Sequence, residues 1–467
     1  MLANRGRIQA SQSPIEGATV NPNTFIKTFI KSAYARMAIF QRNARLYLLN
    51  SILSGLSYSV FSLFFNLYIL ARGYPKDFLG LLSSLPSAVA LFAAVPMGML
   101  SDRVGRRKAM VWGTVGSLAA VAAIAWGSNS TVLVAAVVLM GAGNELFNVS
   151  SAPFMMENSG ERERTVLFSA SFGLNTLAGF AGSLIGGQLP RLMSGAFALT
   201  QDSSRAYGAA LLVSPMMMGL SLLPLLWMRE PARPHRAVHW ALPNVRLVLL
   251  AVEDAWRRTK AVPVTAWRGL RHRQLIVKLL VPNTLISVGA ALLIPYMNVF
   301  FRERHHVPDE TLGVIFALSS VVTGVATLAA PLLTRRWGKV RAVALIQGGS
   351  LPFLLMIGFA PWLSLAVMGF WARGAMMNMV GPLYNAFMME RVAEGERATV
   401  NAFASVTWNL GWAVCPYLSG LVQERWGFNP LFIATAMLYG LAAGLTYWFF
   451  ASSEPRSVEE AAVAAAK

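Results

Sequence analysis

A run of about 19 to 27 apolar residues recurs twelve times along this chain, and each run is long enough to cross a hydrocarbon core of about 30 Å as a helix. The spans read as 46–70, 78–100, 109–127, 132–156, 165–189, 208–228, 275–301, 310–333, 342–360, 363–389, 399–423 and 431–451. Backbone in lipid must satisfy its own hydrogen bonds, so the pattern predicts an all-α integral membrane protein of twelve transmembrane helices. Composition agrees: 55% of the 467 residues are hydrophobic and only 13% charged, against about 25% charged in soluble domains.

The remaining composition excludes chemistry. A single cysteine, Cys415, leaves no disulfide framework and no cysteine-rich metal centre. No phosphate-binding loop of the form Gly-x-x-x-x-Gly-Lys-Ser/Thr occurs, and His235 with His239 lacks a third ligand, so neither a cofactor nor a metal is expected. No nucleophile and base can be paired at membrane depth, which argues against an enzyme.

A formal charge of +19 suggests nucleic acid in a soluble protein, but here the basic residues are spread between the spans. With the N-terminus placed in the cytoplasm, the cytoplasmic segments hold thirty-one Lys and Arg and the opposite loops seven. That imbalance predicts both termini inside a cell membrane and no nucleic-acid partner. Two stretches outside the spans are amphipathic. Residues 25–42 alternate Phe25, Ile26, Phe29 and Ile30 with Lys27, Lys31 and Arg36, and residues 245–258 repeat the pattern in the linker. Each suits either the surface of an anionic leaflet or the end of the bundle.

The linker divides the spans six and six. The expected organisation is a tail over 1–45, a six-helix bundle over 46–228, a linker over 229–274, a second bundle over 275–451 and a tail over 452–467. The halves repeat at an offset of 233: Asn50 falls on Asn283, Gly80 on Gly313, Arg103 and Gly105 on Arg336 and Gly338, Glu157 on Glu390 and Arg164 on Arg397. One residue further on, Asn175 falls on Asn409 and Gly186 on Gly420. Shared apolar composition does not match Asn, Arg and Glu, so two pseudo-symmetric bundles are expected, with a site at the midplane between them.

Between spans 2 and 3 stands Gly98-Met-Leu-Ser-Asp102-Arg103-Val-Gly105-Arg106-Arg107-Lys108. It resembles the signature loop of the major facilitator superfamily, Gly-x-Leu-x-Asp-Arg-x-Gly-Arg-Arg/Lys, at every fixed position. With the spans, the repeat and the basic linker, the resemblance covers nearly the whole chain. It implies two rocking six-helix bundles and a gating latch in which Asp102 faces residues 399–401 of span 11, while Arg103 or Arg106 meets Glu157. Arg107, Arg164, Gly338, Arg336, Glu390 and Arg397 complete the two copies. The second copy carries Arg335 where Asp102 stands, so the latch is expected on one side only. A solvated cluster that merely sets topology is the other reading of these charges.

Charge inside the membrane is costly and marks function. Glu145 is the acidic residue deep within a span, and Arg373 the basic one. The resemblance places spans 1, 4, 7 and 10 around a central cavity, where Glu145 can carry a proton; a buried structural pair is its alternative role. Arg373 can hold an anionic group, neutralise Glu145 or pack between helices. Asn144, Asn148, Asn378 and Asn385 are cavity candidates, and Asn66, Tyr296 and Asn298 weaker ones, because interhelical hydrogen bonds explain buried amides equally well. The stretch Gly179-Phe-Ala-Gly182-Ser183-Leu-Ile-Gly186-Gly187 is similar to the antiporter motif of the family's drug efflux branch, with Ser183 in place of proline, whereas Val137 stands where that branch has arginine.

The expectation is therefore a monomeric secondary transporter in the lipid bilayer, exporting an amphipathic organic solute in exchange for protons. Uptake or exchange of an organic anion held by Arg373 is one alternative. A non-transporting receptor or lipid scramblase on the same scaffold is another.

Overall fold

The computed structural model describes residues 40–127, 129–200, 202–229 and 267–451, and among them every regular element is helical. The amphipathic segment of the linker and all but the last residues of the N-terminal one lie outside these. The helices are α1 (Arg42–Ala71), α2 (Lys76–Val104), α3 (Arg106–Trp126), α4 (Ser130–Glu157), α5 (Glu161–Phe197), α6 (Ser204–Trp227), α7 (Arg273–His305), α8 (Asp309–Trp337), α9 (Lys339–Phe359), α10 (Leu363–Arg391), α11 (Arg397–Trp426) and α12 (Asn429–Phe450). α6 is interrupted at Leu212, and α7 by a 3-10 turn over Ile294–Tyr296.

Ten of these segments are long and apolar enough to cross a membrane; α10 and α11 are not among them. Twelve spans were expected from the sequence. α10 and α11 carry Arg373, Asn378, Asn385, Asn401, Ser405 and Asn409, and this polar content lowers their hydropathy. Helices α2, α4, α5, α6, α7, α9, α10 and α11 contain internal proline, which a membrane helix tolerates where neighbouring elements take up the freed backbone groups. Sharp reversals fall on glycine. Gly105 (φ 100°) turns α2 into α3, and its repeat Gly338 (φ 76°) turns α8 into α9.

The buried core gives the architecture its shape. At the end where α1 runs into α2 and α7 into α8, one apolar cluster spans both halves, joining Leu63, Phe64, Leu79 and Leu82 to Tyr296, Phe300, Leu312 and Phe432. At the other end, which carries the 102–106 loop, the core divides. One cluster, around Tyr47, Phe154 and Leu225, belongs to the N-terminal half, and another, around Ile276, Met388 and Phe450, to the C-terminal half. The two bundles meet at one end, called here the sealed end, and part toward the other, the loop end.

Candidate functional site

The seal is built by the smallest residues. A Cβ placed on Gly80 of α2 would stand 2.5 Å from the Pro416 carbonyl and 2.9 Å from Cα of Tyr417 in α11. On Gly313 of α8 it would meet the Ser183 carbonyl at 2.6 Å and Gly187 of α5 at 2.7 Å. Gly187 answers against Asp309 and Gly313, and Gly420 against Lys76 and Asp77. These are backbone-to-backbone approaches that a larger residue prevents. The contact geometry pairs Gly420 with Gly187, at the offset of 233, and not with Gly186 as the shifted phase suggests; Gly186 faces Val60, Leu63 and Phe64 of its own half.

Amides and charges complete the seal. Asn66 of α1 donates to the Asn298 side chain (2.9 Å) and to the Pro295 carbonyl of α7, while Asn298 donates to the Leu63 carbonyl at 2.9 Å. Tyr296 donates its hydroxyl hydrogen to the Pro416 carbonyl. All three were cavity candidates, and all three are instead buried where the two halves join. Across the same joint Lys76 pairs with Glu303 at 2.7 Å, Arg191 with Glu310 at 3.9 Å, and Arg302 with Asp202. Asp309, 1% exposed, accepts from Tyr207 at 3.3 Å. The repeat inverts charge here, since Lys76 matches Asp309 and Arg191 matches Glu424, whose carboxylate accepts from the Lys76 backbone N–H at 3.1 Å. Sequence reading missed these pairs, and opposite charges at repeat positions were the signal.

Toward the loop end the helices separate. Along α5 and α8 the glycine contacts loosen from 2.6 Å at Gly313 to 3.9 Å between Gly179 and Ser320, and a Cβ on Gly98, Gly173 or Gly381 meets nothing within 4 Å. Two pockets open here, one in each half. The N-terminal pocket, about 350 Å³, is lined by Ser54, Tyr58, Thr114, Asn144, Phe147 and Asn148 among others. The C-terminal pocket, about 330 Å³, is lined by Asn283, Gln347, Tyr384, Asn385, Asn401 and Trp408 among others. They are repeat counterparts: Thr114 and Gln347, Phe147 and Val380, and Asn148 and Gly381 stand 233 apart, and Asn175 and Asn409, also lining residues, 234 apart. Tyr58, in the middle of α1, is 69% exposed, which places it against open space. No described lining residue of either pocket is charged.

The predicted site residues divide accordingly. Asn144, bonded to Ser117 at 2.9 Å, and Asn148 line the first pocket, and Asn385 the second. Asn378 is exposed, donates to its own helix at Gly374 (2.8 Å) and lines neither. Glu145 is half-buried one turn beyond Gly141, whose face packs on Pro86 and Val89 of α2; no described residue pairs with it. Arg373 does not line either pocket. It is 6% exposed, donates to the Tyr439 hydroxyl and lies over that ring at 5.4 Å, so it is packed between α10 and α12 and not ion-paired with Glu145. Five residues separate it from Asn378, about 140° around the helix, and the structure gives the pocket side of α10 to Met377, Gly381 and Asn385.

The signature loop is ordered within its own half. Arg106 pairs with Asp102 one turn away, reaches Glu157 of α4 at 3.7 Å and donates to Ser101 at 3.1 Å. Arg107 donates to the Leu225 and Leu226 carbonyls of α6, and Arg103 is exposed. The second copy reproduces this, with Lys339 on Glu390 as Arg106 is on Glu157. Arg397 donates to Met389 at 3.0 Å as Arg164 does to Met156 at 3.4 Å. The Arg336 side chain lies outside the described residues. Asn401, in the segment where the seat of Asp102 is expected, is exposed along the C-terminal pocket.

Comparison with known proteins agrees with this architecture. The chain is 24% identical over 431 residues to the multidrug resistance protein MdtG of Rahnella sp. (strain Y9602), covering 88% of this chain and 93% of that one. To MdtG of Dickeya zeae (strain Ech586) it is 25% identical over 422 residues, covering 85% and 91%. In fold it is similar to a bacterial homolog of the human lysosomal transporter Spinster in an inward-facing, occupied conformation (TM-score 0.66, 15% identity, 89% of this chain and 97% of that one). It is likewise similar to the nucleoside transporter NupG (TM-score 0.64, 13% identity, 88% and 99%). The model of the Major Facilitator Superfamily matches residues 47–414 and 283–466, and the chain belongs to that family of membrane transporters.

Proposed function

We propose that this transporter exports amphipathic organic solutes, neutral or cationic, in exchange for protons, and that the described conformation is the one open to the cytoplasm. The observation that carries the substrate class is the lining of the paired pockets: aromatic and amide side chains, with no fixed charge to select an anion. The basic loops of the open end support a cytoplasmic location for it and for both termini. The names of the two relatives support efflux. Glu145, next to pocket-lining Asn144 and without a pairing cation among the described residues, is the proton carrier in this reading. The packing of Arg373 on Tyr439 counts against the anion alternative.

The test is gradient-driven movement of a lipophilic cation, tetraphenylphosphonium, in proteoliposomes. Accumulation should follow an imposed pH gradient in the parent protein, and Glu145→Gln should lose it while retaining solute exchange. Full driven accumulation in Glu145→Gln would sink the proton role. Preferential movement of an anionic dye that Arg373→Lys abolishes would restore the anion alternative.

A further inference from the structure

A further cavity belongs to neither paired pocket. It lies at the loop end of the C-terminal half, about 770 Å³ in volume, where the segment entering α7 meets the last turns of α10 and α12. Arg271, His272, Arg273, Lys278 and Arg391 line it, with Leu275 and Phe449 as apolar wall, and no carboxylate is among its described lining residues. Two carboxylates stand nearby among the described residues: Glu396 accepts from the Arg271 backbone N–H at 2.7 Å at the edge of the cavity, and Glu394 pairs with Arg397 at 3.5 Å. Other contacts fix the cations in place. Arg273 is held by the carbonyls of Leu270 and Arg268, Lys278 stands 5.6 Å over the Phe449 ring, and Arg391 lies 5.9 Å from the Phe450 ring.

The cavity is not a by-product of the repeat. Its N-terminal counterpart is closed by a neutral network in which Asn43 donates to Asn158, the repeat position of Arg391, and accepts the backbone N–H of Arg229 at 2.9 Å. Below the cations of the C-terminal half the surface turns apolar. Val277 and Val281 of α7 are exposed, as are Tyr447 and Trp448 near the end of α12, the aromatic placement typical of a membrane interface. Cations at headgroup depth above an apolar, outward-facing track match a phosphate that carries acyl chains. A soluble phosphate uses only the upper part.

From this juxtaposition we propose that the cavity between α7, α10 and α12 binds the phosphate headgroup of an anionic phospholipid, with its chains lying along α7. The site is independent of which solute the central pockets take.

The experiment is lipid retention by the purified full-length protein, read by native mass spectrometry with phosphatidylglycerol, phosphatidylcholine and sn-glycerol 3-phosphate as probes. The triple variant Arg271→Gln/Arg273→Gln/Lys278→Gln changes exposed side chains only. Each near-surface cation contributes about a factor of five, so phosphatidylglycerol affinity should fall roughly a hundredfold in it. Arg42→Gln/Arg45→Gln removes exposed cations at the same end of the other half, Arg45 being the repeat counterpart of Lys278, and should retain the lipid as the parent does. Unchanged retention in the triple variant would overturn the proposal. So would equal retention of phosphatidylcholine, or displacement of the lipid by an equal concentration of sn-glycerol 3-phosphate, which would assign the site to a soluble phosphate.

Discussion

The sealed end and the loop end use the same vocabulary of glycine, amide and ion pair in opposite ways. At the sealed end every kind of contact crosses between the halves: Gly80 on Pro416, Gly313 on Gly187, Asn66 on Asn298, Lys76 on Glu303. At the loop end the described pairs stay within one half, Arg106 with Glu157 and Lys339 with Glu390. The apolar core follows the same rule, continuous at one end and divided at the other. Contacts within a half make it a rigid body, and contacts between halves choose the conformation. The residues that set the equilibrium between states are therefore those crossing the seal, together with those that must cross the loop end when it closes.

The glycines offer the sharpest break of this comparison. Gly313→Val places a side chain where even a Cβ meets Ser183 at 2.6 Å, and overpacking of this kind costs about 1–3 kcal/mol. That cost falls only on the described state, so the ratio of loop-open to loop-closed molecules should fall roughly 5- to 150-fold. Gly98→Val meets nothing in this state and should shift the ratio the other way, if the loop packs on α11 when that end closes. Alkylation of a reporter, Ser405→Cys in a Cys415→Ser background, reads both, because Ser405 is exposed along the C-terminal pocket and Cys415 is buried. Reporter labelling should slow with Gly313→Val and hold or rise with Gly98→Val. A shift in the same direction for both would remove the distinction between the ends.

This contrast also marks what was legible beforehand. The helices and the loop with its Arg106–Glu157 pair could be read from hydropathy and motif, because each is local or periodic. Asn144, Asn148 and Asn385 could be placed because amides on cavity-facing helices have few other uses. Asn66, Asn298 and Tyr296, the weaker cavity candidates for which interhelical bonding was the alternative, make such bonds at the joint, since depth within a span does not say whether a polar group meets solute or the other half. Arg373 shows the limit in rotation: one charge in a helix announces importance but not direction, and Tyr439, 66 residues away, decides it.

Amides at the seal should act one step more weakly than the glycines. Asn298→Leu removes the acceptor for Asn66 and the donor to the Leu63 carbonyl at a buried position, and leaving such groups unpaired costs about 1–3 kcal/mol, reduced wherever water or the Pro295 carbonyl compensates. The expected outcome is a shift of roughly tenfold toward the loop-closed form, read by the same reporter. Asn66→Leu should act in the same direction, and the double variant should shift less than the two singles combined, because both remove the same bond. Full additivity would show that the amides act through separate contacts.

The surface pairs should have the smallest effect, and their sign tests whether charge helps hold the seal at all. Lys76 is 19% and Glu303 41% exposed, so their attraction is screened by water and contributes about 0–1 kcal/mol. Glu303→Gln should therefore shift the ratio toward the loop-closed form less than about fivefold, and raising the salt concentration should reduce even that. Lys76 also offers its backbone N–H to Glu424, a bond that Lys76→Gln leaves in place, so Lys76→Gln and Glu303→Gln should match closely. A much larger, salt-insensitive shift for either would mean that the pair works with the buried Asp309, Tyr207 and Arg302 nearby as one connected network, and the seal would then be electrostatic as well as steric.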